Sequence, residues 1–331
     1  MVRSTKQKKQ YLLDVKRDIE SITPIDDAFH GTKKHVAAEW WYFDAIFKNN
    51  YSIHLGLRTY SKKNRGMISP QIEIYKDGQF ICEETTRLLF RHVDISKTIP
   101  MVKHNDHTIM KLNQDHYNKT KQFQYHINCF LNNYGFDLTF DATTLGWKFE
   151  TEAESWTVAL PKANVKGIIM VDGEEIPVEG MGYHDHNWNY SMVTVMNYGQ
   201  GWYWGKIASK HFNIVWAKIV KSNKYEILAV INKDNEKFYN IDPKNILLTI
   251  DTDTKAGRFK APSHFHIKIQ ETIEDIPIDV DVDMHSQGIH YNSIIIAPYF
   301  RYHVSSTGYI SIGSENEQVN KMQIMEYLRF S

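Results

Sequence analysis

Apolar and polar positions alternate with period two through most of the chain. Tyr51, Ile53, Leu55, Leu57 and Thr59 interleave with Ser52, His54, Gly56 and Arg58, which predicts a strand with one polar face. Ile72 and Ile74 lead through Asp77-Gly78 to Phe80 and Cys82, a hairpin signal. Phe123, Tyr125, Ile127 and Cys129 alternate with Gln124, His126 and Asn128, and a further hairpin is centred on Asp172-Gly173. The second half continues in the same style with WYWGKIA (202–208), FNIVWAKIV (212–220), YEILAVI (225–231), ILLTI (246–250), HFHIKIQ (264–270) and QIMEYLRF (323–330). Ile276, Ile278, Val280 and Val282 alternate with Pro277, Asp279, Asp281 and Asp283. This reads as an edge or solvated-face strand, since a calcium loop needs a glycine at its bend and a closing glutamate. One stretch departs from the pattern. Leu12, Val15, Ile19 and Ile22 recur at three- and four-residue spacing among charges, predicting a helix over 7–22 that Thr23-Pro24 stops.

Many strands joined by Gly, Asn and Asp turns predict an all-β protein of antiparallel barrels or sandwiches. Strand–helix alternation is missing, which excludes Rossmann and TIM folds. The length of 331 residues suggests about two domains. No Pro/Gly/Ser-rich linker separates them. The expected division is an N-terminal helix and tail (1–25), a first barrel (26–184) and a second barrel (185–331).

Charge narrows the partners. Lysine plus arginine and aspartate plus glutamate are both 39, and a neutral chain lacks the field of a general nucleic-acid binder. No apolar run is long enough to span a bilayer as a helix, although peripheral membrane contact remains open. The first ten residues are basic without an apolar stretch, so the expected location is the cytoplasm. The two cysteines, Cys82 and Cys129, offer neither a disulfide framework nor a CxxC zinc site. Aromatics make up 13% of the chain, which suits β cores and also ring-lined apolar cavities.

The phosphate-loop, dinucleotide, nucleophile-elbow and HExxH motifs are all absent. Two segments carry candidate chemistry instead. In Glu39-Trp40-Trp41-Tyr42-Phe43, Trp40 and Tyr42 face one way and Trp41 and Phe43 the other, so one pair lines a cavity or a second packing surface. In Tyr183-His184-Asp185-His186-Asn187-Trp188, the two histidines share a face and Asp185 takes the opposite one. Three readings stay open for this second segment. His184 and His186, with His264 and His266, suit a cupin-like metal site. Asp185 suits a carboxylic acid whose pKa burial has raised. The whole also suits a structural hydrogen-bonded knot.

EWWYF, DHNW, WYWGK and the closing EYLRF occur in an order that resembles the carotenoid 1,2-hydratase (hydroxyneurosporene synthase) family, over about residues 30–330. The resemblance implies two consecutive lipocalin-like barrels. It places Asp185 on the family's motif aspartate, the proposed proton donor, with His184 or His186 orienting it or directing water. Glu39, Trp40, Trp41 and Tyr42 match the first motif, His186 and Trp188 the second. Tyr183 and Trp204 join them as expected substrate contacts. Asn189 stands where the family pattern has glycine. The implied activity is a hydratase or cyclase acting on a hydrophobic, isoprenoid-like alkene, with no metal or organic cofactor. The rival expectations are a non-catalytic carrier of a hydrophobic metabolite and a histidine-based metalloenzyme.

Overall fold

The computed structural model describes residues 11–31, 37–62, 65–152, 154–191, 199–221, 223–294 and 297–330. Among these residues the strands form two sheets, of fourteen and ten strands. The first sheet runs Gln79–Thr85, Arg65–Lys76, Tyr51–Lys62, Ala37–Phe47, Glu174–Ser191, Ser155–Val171, Tyr134–Ala142, Gln124–Leu131 and on to Val93–Ile95. The second runs Lys224–Lys233, Phe212–Lys221, Gly201–Ala208, Glu315–Arg329, Ala297–Ile312, Ile276–Ile294, Phe259–Ile273 and Ile246–Ala256. Neighbours along both paths are antiparallel, and each sheet curls around its own apolar core. The all-β class with two consecutive lipocalin-like barrels therefore holds.

The expected cut at 184/185 falls inside one strand, which runs unbroken from Glu174 to Ser191 in the first sheet. The second sheet's first long strand begins at Gly201, so the sheets change after Ser191. Continuous pairing with Ala37–Phe47 on one side and Ser155–Val171 on the other holds the whole strand in the first barrel.

The helix expected at the N-terminus is not formed over residues 11–22, and residues 7–10 lie outside the described residues. This stretch is an extended strap. Tyr11–Leu12 adds in parallel to Lys224–Tyr225 of the second sheet, and Glu20–Ser21 pairs with Trp147–Lys148 of the first. Its apolar residues serve different cores: Leu12 packs on the second barrel, Ile19 between the barrels and Ile22 in the first barrel. One face of a single helix could not reach all three, so tertiary burial overrides the local periodicity. Among the described residues the α-helix is short, Gln114–Thr120, capped by the Asn113 side chain accepting from the His116 N–H.

A separate aromatic cluster lies between the barrels and includes Tyr42, Trp156 and Tyr183 from one, with Trp204, Val215 and Leu228 from the other. Buried polar pairs cross the same seam. Lys206 meets Asp44, Arg301 meets Glu73, and Ser52 Oγ lies 2.7 Å from His303 Nε2. Cys82 and Cys129 are buried free thiols. No helix among the described residues is long and apolar enough to cross a membrane.

Candidate active site between the barrels

The two motif segments lie side by side on adjacent antiparallel strands. His184 stands opposite Phe43, Asp185 opposite Tyr42, His186 opposite Trp41 and Asn187 opposite Trp40. Alternation then sorts their side chains onto two faces. Trp41 and Phe43 enter the first-barrel core, while Tyr42 joins the inter-barrel cluster.

The inter-barrel face borders a cavity of about 570 Å³, whose walls include Trp40, Tyr42, Trp156, Trp202, Trp204 and Leu228. Asp185 and Asn187 line it as well. Asp185 is only 5% exposed. Its Oδ2 accepts from the Tyr183 hydroxyl at 2.7 Å and the Trp156 indole N–H at 2.9 Å. Its Oδ1 accepts from the Asn187 amide at 3.1 Å. Burial pushes the Asp185 carboxyl up to about 7, against the opposing effect of these donors and of His184, and the Glu326 carboxylate adds to the rise. Around pH 7 the group is therefore a mixture of acid and carboxylate.

Behind this wall lies a buried charge network. Tyr42 donates to Asp44 Oδ2 at 3.0 Å, and Asp44 also takes the Lys206 ammonium. Arg301 is held by Glu73 and by Glu326, the latter at 2.8 Å and 3.0 Å. Three carboxylates (Asp44, Glu73, Glu326) thus face two cations (Lys206, Arg301). A further anion at Asp185 is disfavoured in that setting, which agrees with its raised pKa.

The opposite face is a knot of histidines and acids away from the cavity. His186 Nε2 donates to Glu39 Oε1 at 2.9 Å, its Nδ1 lies 3.4 Å from Asp27 Oδ1, and its ring stacks on Trp41. His184 spans the Tyr42 carbonyl (2.9 Å) and Asp27 Oδ2 (3.0 Å), stacked on Phe43. Glu39 also accepts the His30 and Gly31 backbone N–H groups at 2.8 and 2.7 Å, and Trp188 stacks on the His30 ring at 3.6 Å. Burial opposes charge on both partners, yet the hydrogen bonds and opposite charges win. His186 is raised to about 9 and Glu39 lowered to about 2. The knot pins residues 27–31 to the barrel.

Of the expected site residues, Asp185, Trp40, Tyr42 and Trp204 line the cavity, and Tyr183 holds the acid from beside it. Trp41 borders the cavity but packs its ring into the first-barrel core against His186. His184, His186, Glu39 and Trp188 belong to the knot instead, because strand alternation turns them to the other face. The expected four-histidine metal set is not assembled. His264 and His266 lie on the second sheet, paired with Asp251, Asp283 and Asp281. His30, Glu39 and His186 do bring ligand atoms within 4.8 Å of one another, but both ring nitrogens of His186 already face carboxylates. The residues that sequence reasoning missed are Trp156, Asn187, His54 and the Lys206–Asp44 and Arg301–Glu326 pairs. Lys206 and Glu326 sat within the WYWGK and EYLRF strings, while Trp156 and His54 carried no local signal.

Asn189 follows at φ +66°, where the pairing with Ala37–Phe47 shifts register. The left-handed conformation that glycine takes freely is here adopted by asparagine, the side chain that best tolerates it. Its amide donates to the Thr151 carbonyl at 3.2 Å and Ser155 Oγ at 3.1 Å, so the turn keeps its shape.

Solved structures share this architecture over nearly the whole chain. A protein designated AttH from Nitrosomonas europaea aligns with a TM-score of 0.64 at 12% identity, covering 93% of this chain and 99% of that one. CghA in complex with Sch210972 gives 0.62 at 12%, covering 98% of each. Kievitone hydratase from Nectria haematococca gives 0.60 at 13%, covering 98% of this chain and 99% of that one. The likeness fixes the fold. No family model matches the sequence, and no curated protein does.

Proposed function

We propose that the chain is a hydratase or cyclase that protonates an alkene of a largely apolar, isoprenoid-like substrate from Asp185. The observation that carries this reading is a buried carboxyl raised to about 7 on the wall of an aromatic cavity of about 570 Å³. The alkene π pair takes the Asp185 proton to form a C–H bond, leaving a cation on the more substituted carbon. Water, or a second nucleophilic group of the substrate, closes onto that carbon, and the proton it releases restores the acid. The reaction needs a positioned proton and a shielded cation. Faces of Trp40, Tyr42 and Trp204 supply the shield, each worth about 0.5–2 kcal/mol. Tyr183, Trp156 and Asn187 hold the carboxyl in place and receive its charge after transfer. Two structural neighbours support the choice of chemistry: one is named a kievitone hydratase and another was solved with Sch210972.

The test is the substrate that co-purifies with the protein, identified by mass spectrometry and incubated with it in deuterated water. A product carrying deuterium on carbon is expected, formed about 10²–10⁴-fold more slowly by Asp185→Asn. Unimpaired turnover by that variant would remove Asp185 from the chemistry. A bound metabolite returned unchanged would mark the protein as a carrier.

A further inference from the structure

We infer that the cavity's substrate is an acid, whose carboxylate pairs with the Arg58 guanidinium while its alkene meets Asp185. This rests on the assignment of the inter-barrel cavity as the substrate site and narrows the substrate class from any apolar alkene to one carrying an anionic group. Arg58 borders the cavity, half-buried, from the polar face of the strand Tyr51–Lys62. Among the described residues its hydrogen-bond partner is a neutral amide, with Nη1 donating to Gln71 Oε1. The Tyr299 phenol shares its field but is neutral, since burial pushes its pKa up, and its oxygen already accepts from Arg301 at 3.0 Å. The other ions of the wall have partners of opposite charge. Arg17 pairs with Glu226 at 2.8 Å, and Glu326 is held by Arg301 at 2.8 Å. Glu73, beyond Gln71, belongs to Arg301 as well. Among the described residues, Arg58 is thus the cation on the cavity wall that no carboxylate neutralises.

The surroundings select the kind of occupant. A guanidinium at the edge of an aromatic cavity is stable while water solvates it. An occupant that fills the cavity displaces that water, and stripping a cation without replacing its hydrogen bonds is strongly unfavourable. A carboxylate offsets the loss, because its two oxygens match two parallel N–H groups of the guanidinium fork, whereas a hydroxyl meets only one. Its single charge also matches the single charge on offer. Position agrees with the pairing. An added Cβ at Gly56 would stand 3.7 Å from the Arg58 guanidinium carbon, so the head group lies over Gly56. Gly56 stands opposite Tyr42, which stands opposite Asp185. Two inter-strand spacings, about 10 Å, therefore separate the cation from the acid along the wall. An apolar frame lying across Tyr42 presents its carboxylate at one end of that span and its alkene at the other.

The test uses 2-naphthoate and its neutral counterpart 2-acetylnaphthalene as probes, a pair without an isolated alkene to protonate. Binding is measured calorimetrically at about pH 6, where the probe acid is ionised and Asp185 is chiefly protonated. Wild type is expected to bind naphthoate more tightly than the ketone. Arg58→Met should lower the ratio of naphthoate to ketone affinity by about fivefold to fiftyfold, the worth of a charge-assisted pair at a half-buried site. Ketone affinity should stay near wild type, which also shows that the variant folds. Arg58→Lys keeps the charge without the fork and should keep part of the ratio. A wild type without the preference, an unchanged ratio in Arg58→Met, or an equal fall in both variants would overturn the inference. An Arg58 that serves only to balance Glu73 through Gln71 gives the unchanged ratio together with a lower melting temperature. Asp185-dependent turnover of a co-purifying substrate with no acidic group would overturn it too, while leaving the proton donor standing. Conversely, a naphthoate preference that depends on Arg58, in a protein whose Asp185→Asn variant turns over normally, would sink the proton donor alone.

Discussion

The indole N–H of Trp156 meets Oδ2 of Asp185 at 2.9 Å from the adjacent strand, where Trp156 pairs with Asn187. This contact joins the wall of the cavity to its acid. It leaves the carboxyl fixed in direction while burial keeps its proton affinity high.

Turnover should follow the protonated form of Asp185. Activity is expected to be level below pH 7 and to fall about tenfold per pH unit above about 7, with the profile read as kcat/KM against pH. Trp156→Phe removes a donor that favours the carboxylate. Its pH midpoint should move upward and its rate should fall, since the acid is less firmly held.

The same group sets a stability trend. Its folded value of about 7 lies above the ordinary 3.8, so the folded state holds the proton longer than the unfolded chain. The stability this contributes is present below 3.8 and is lost as pH rises through 7. Asp185→Asn escapes that loss. Melting curves should show the variant gaining on wild type between pH 4 and pH 8.

His186 governs the knot. Its folded value of about 9 exceeds the ordinary 6.5, so its contribution is complete below 6.5 and disappears as pH passes 9. His186→Phe leaves Asp27 and Glu39 buried without their shared cation and should cost about 3–5 kcal/mol by denaturant unfolding. An aromatic probe such as 2-naphthol should bind in the cavity of the surviving folded fraction normally, because His186 faces away from it.

Arg17 ties the strap to both barrels, at 2.6 Å from Glu154 and 2.8 Å from Glu226. With Val15 it also borders the cavity. Arg17→Ala strips the cation from two largely buried carboxylates and is expected to cost about 1–3 kcal/mol of global stability. Stopped-flow binding of 2-naphthol should nevertheless become faster as the strap loosens. An unchanged association rate would show that ligand enters elsewhere.

Asn189→Gly should be near neutral, exchanging two hydrogen bonds for an unstrained backbone at φ +66°. Asn189→Val forces a β-branched side chain into the left-handed region. About 1–2 kcal/mol of destabilisation is expected by thermal melting.

Alternation by itself determined the all-β class, the Asp77-Gly78 and Asp172-Gly173 turns, and the faces on which Asp185 and the two histidines lie. These are local consequences of a strand's twofold period and of turn chemistry, so they are written in short stretches of chain. The tertiary structure alone decided what those faces meet. Asp27, a residue with no motif around it, turned one face of the 183–188 segment into an ion-paired knot. Trp156 and His54 entered the cavity from separate strands, and Trp204, Lys206, Arg301 and Glu326 arrived from the second barrel. The N-terminal stretch shows the limit from the other side. The spacing of Leu12, Val15, Ile19 and Ile22 suits a helix, but burial in three separate cores and pairing at two sheet edges outweigh that weak preference. Burial and long-range pairing depend on which surfaces the other barrel presents, and no local pattern encodes that.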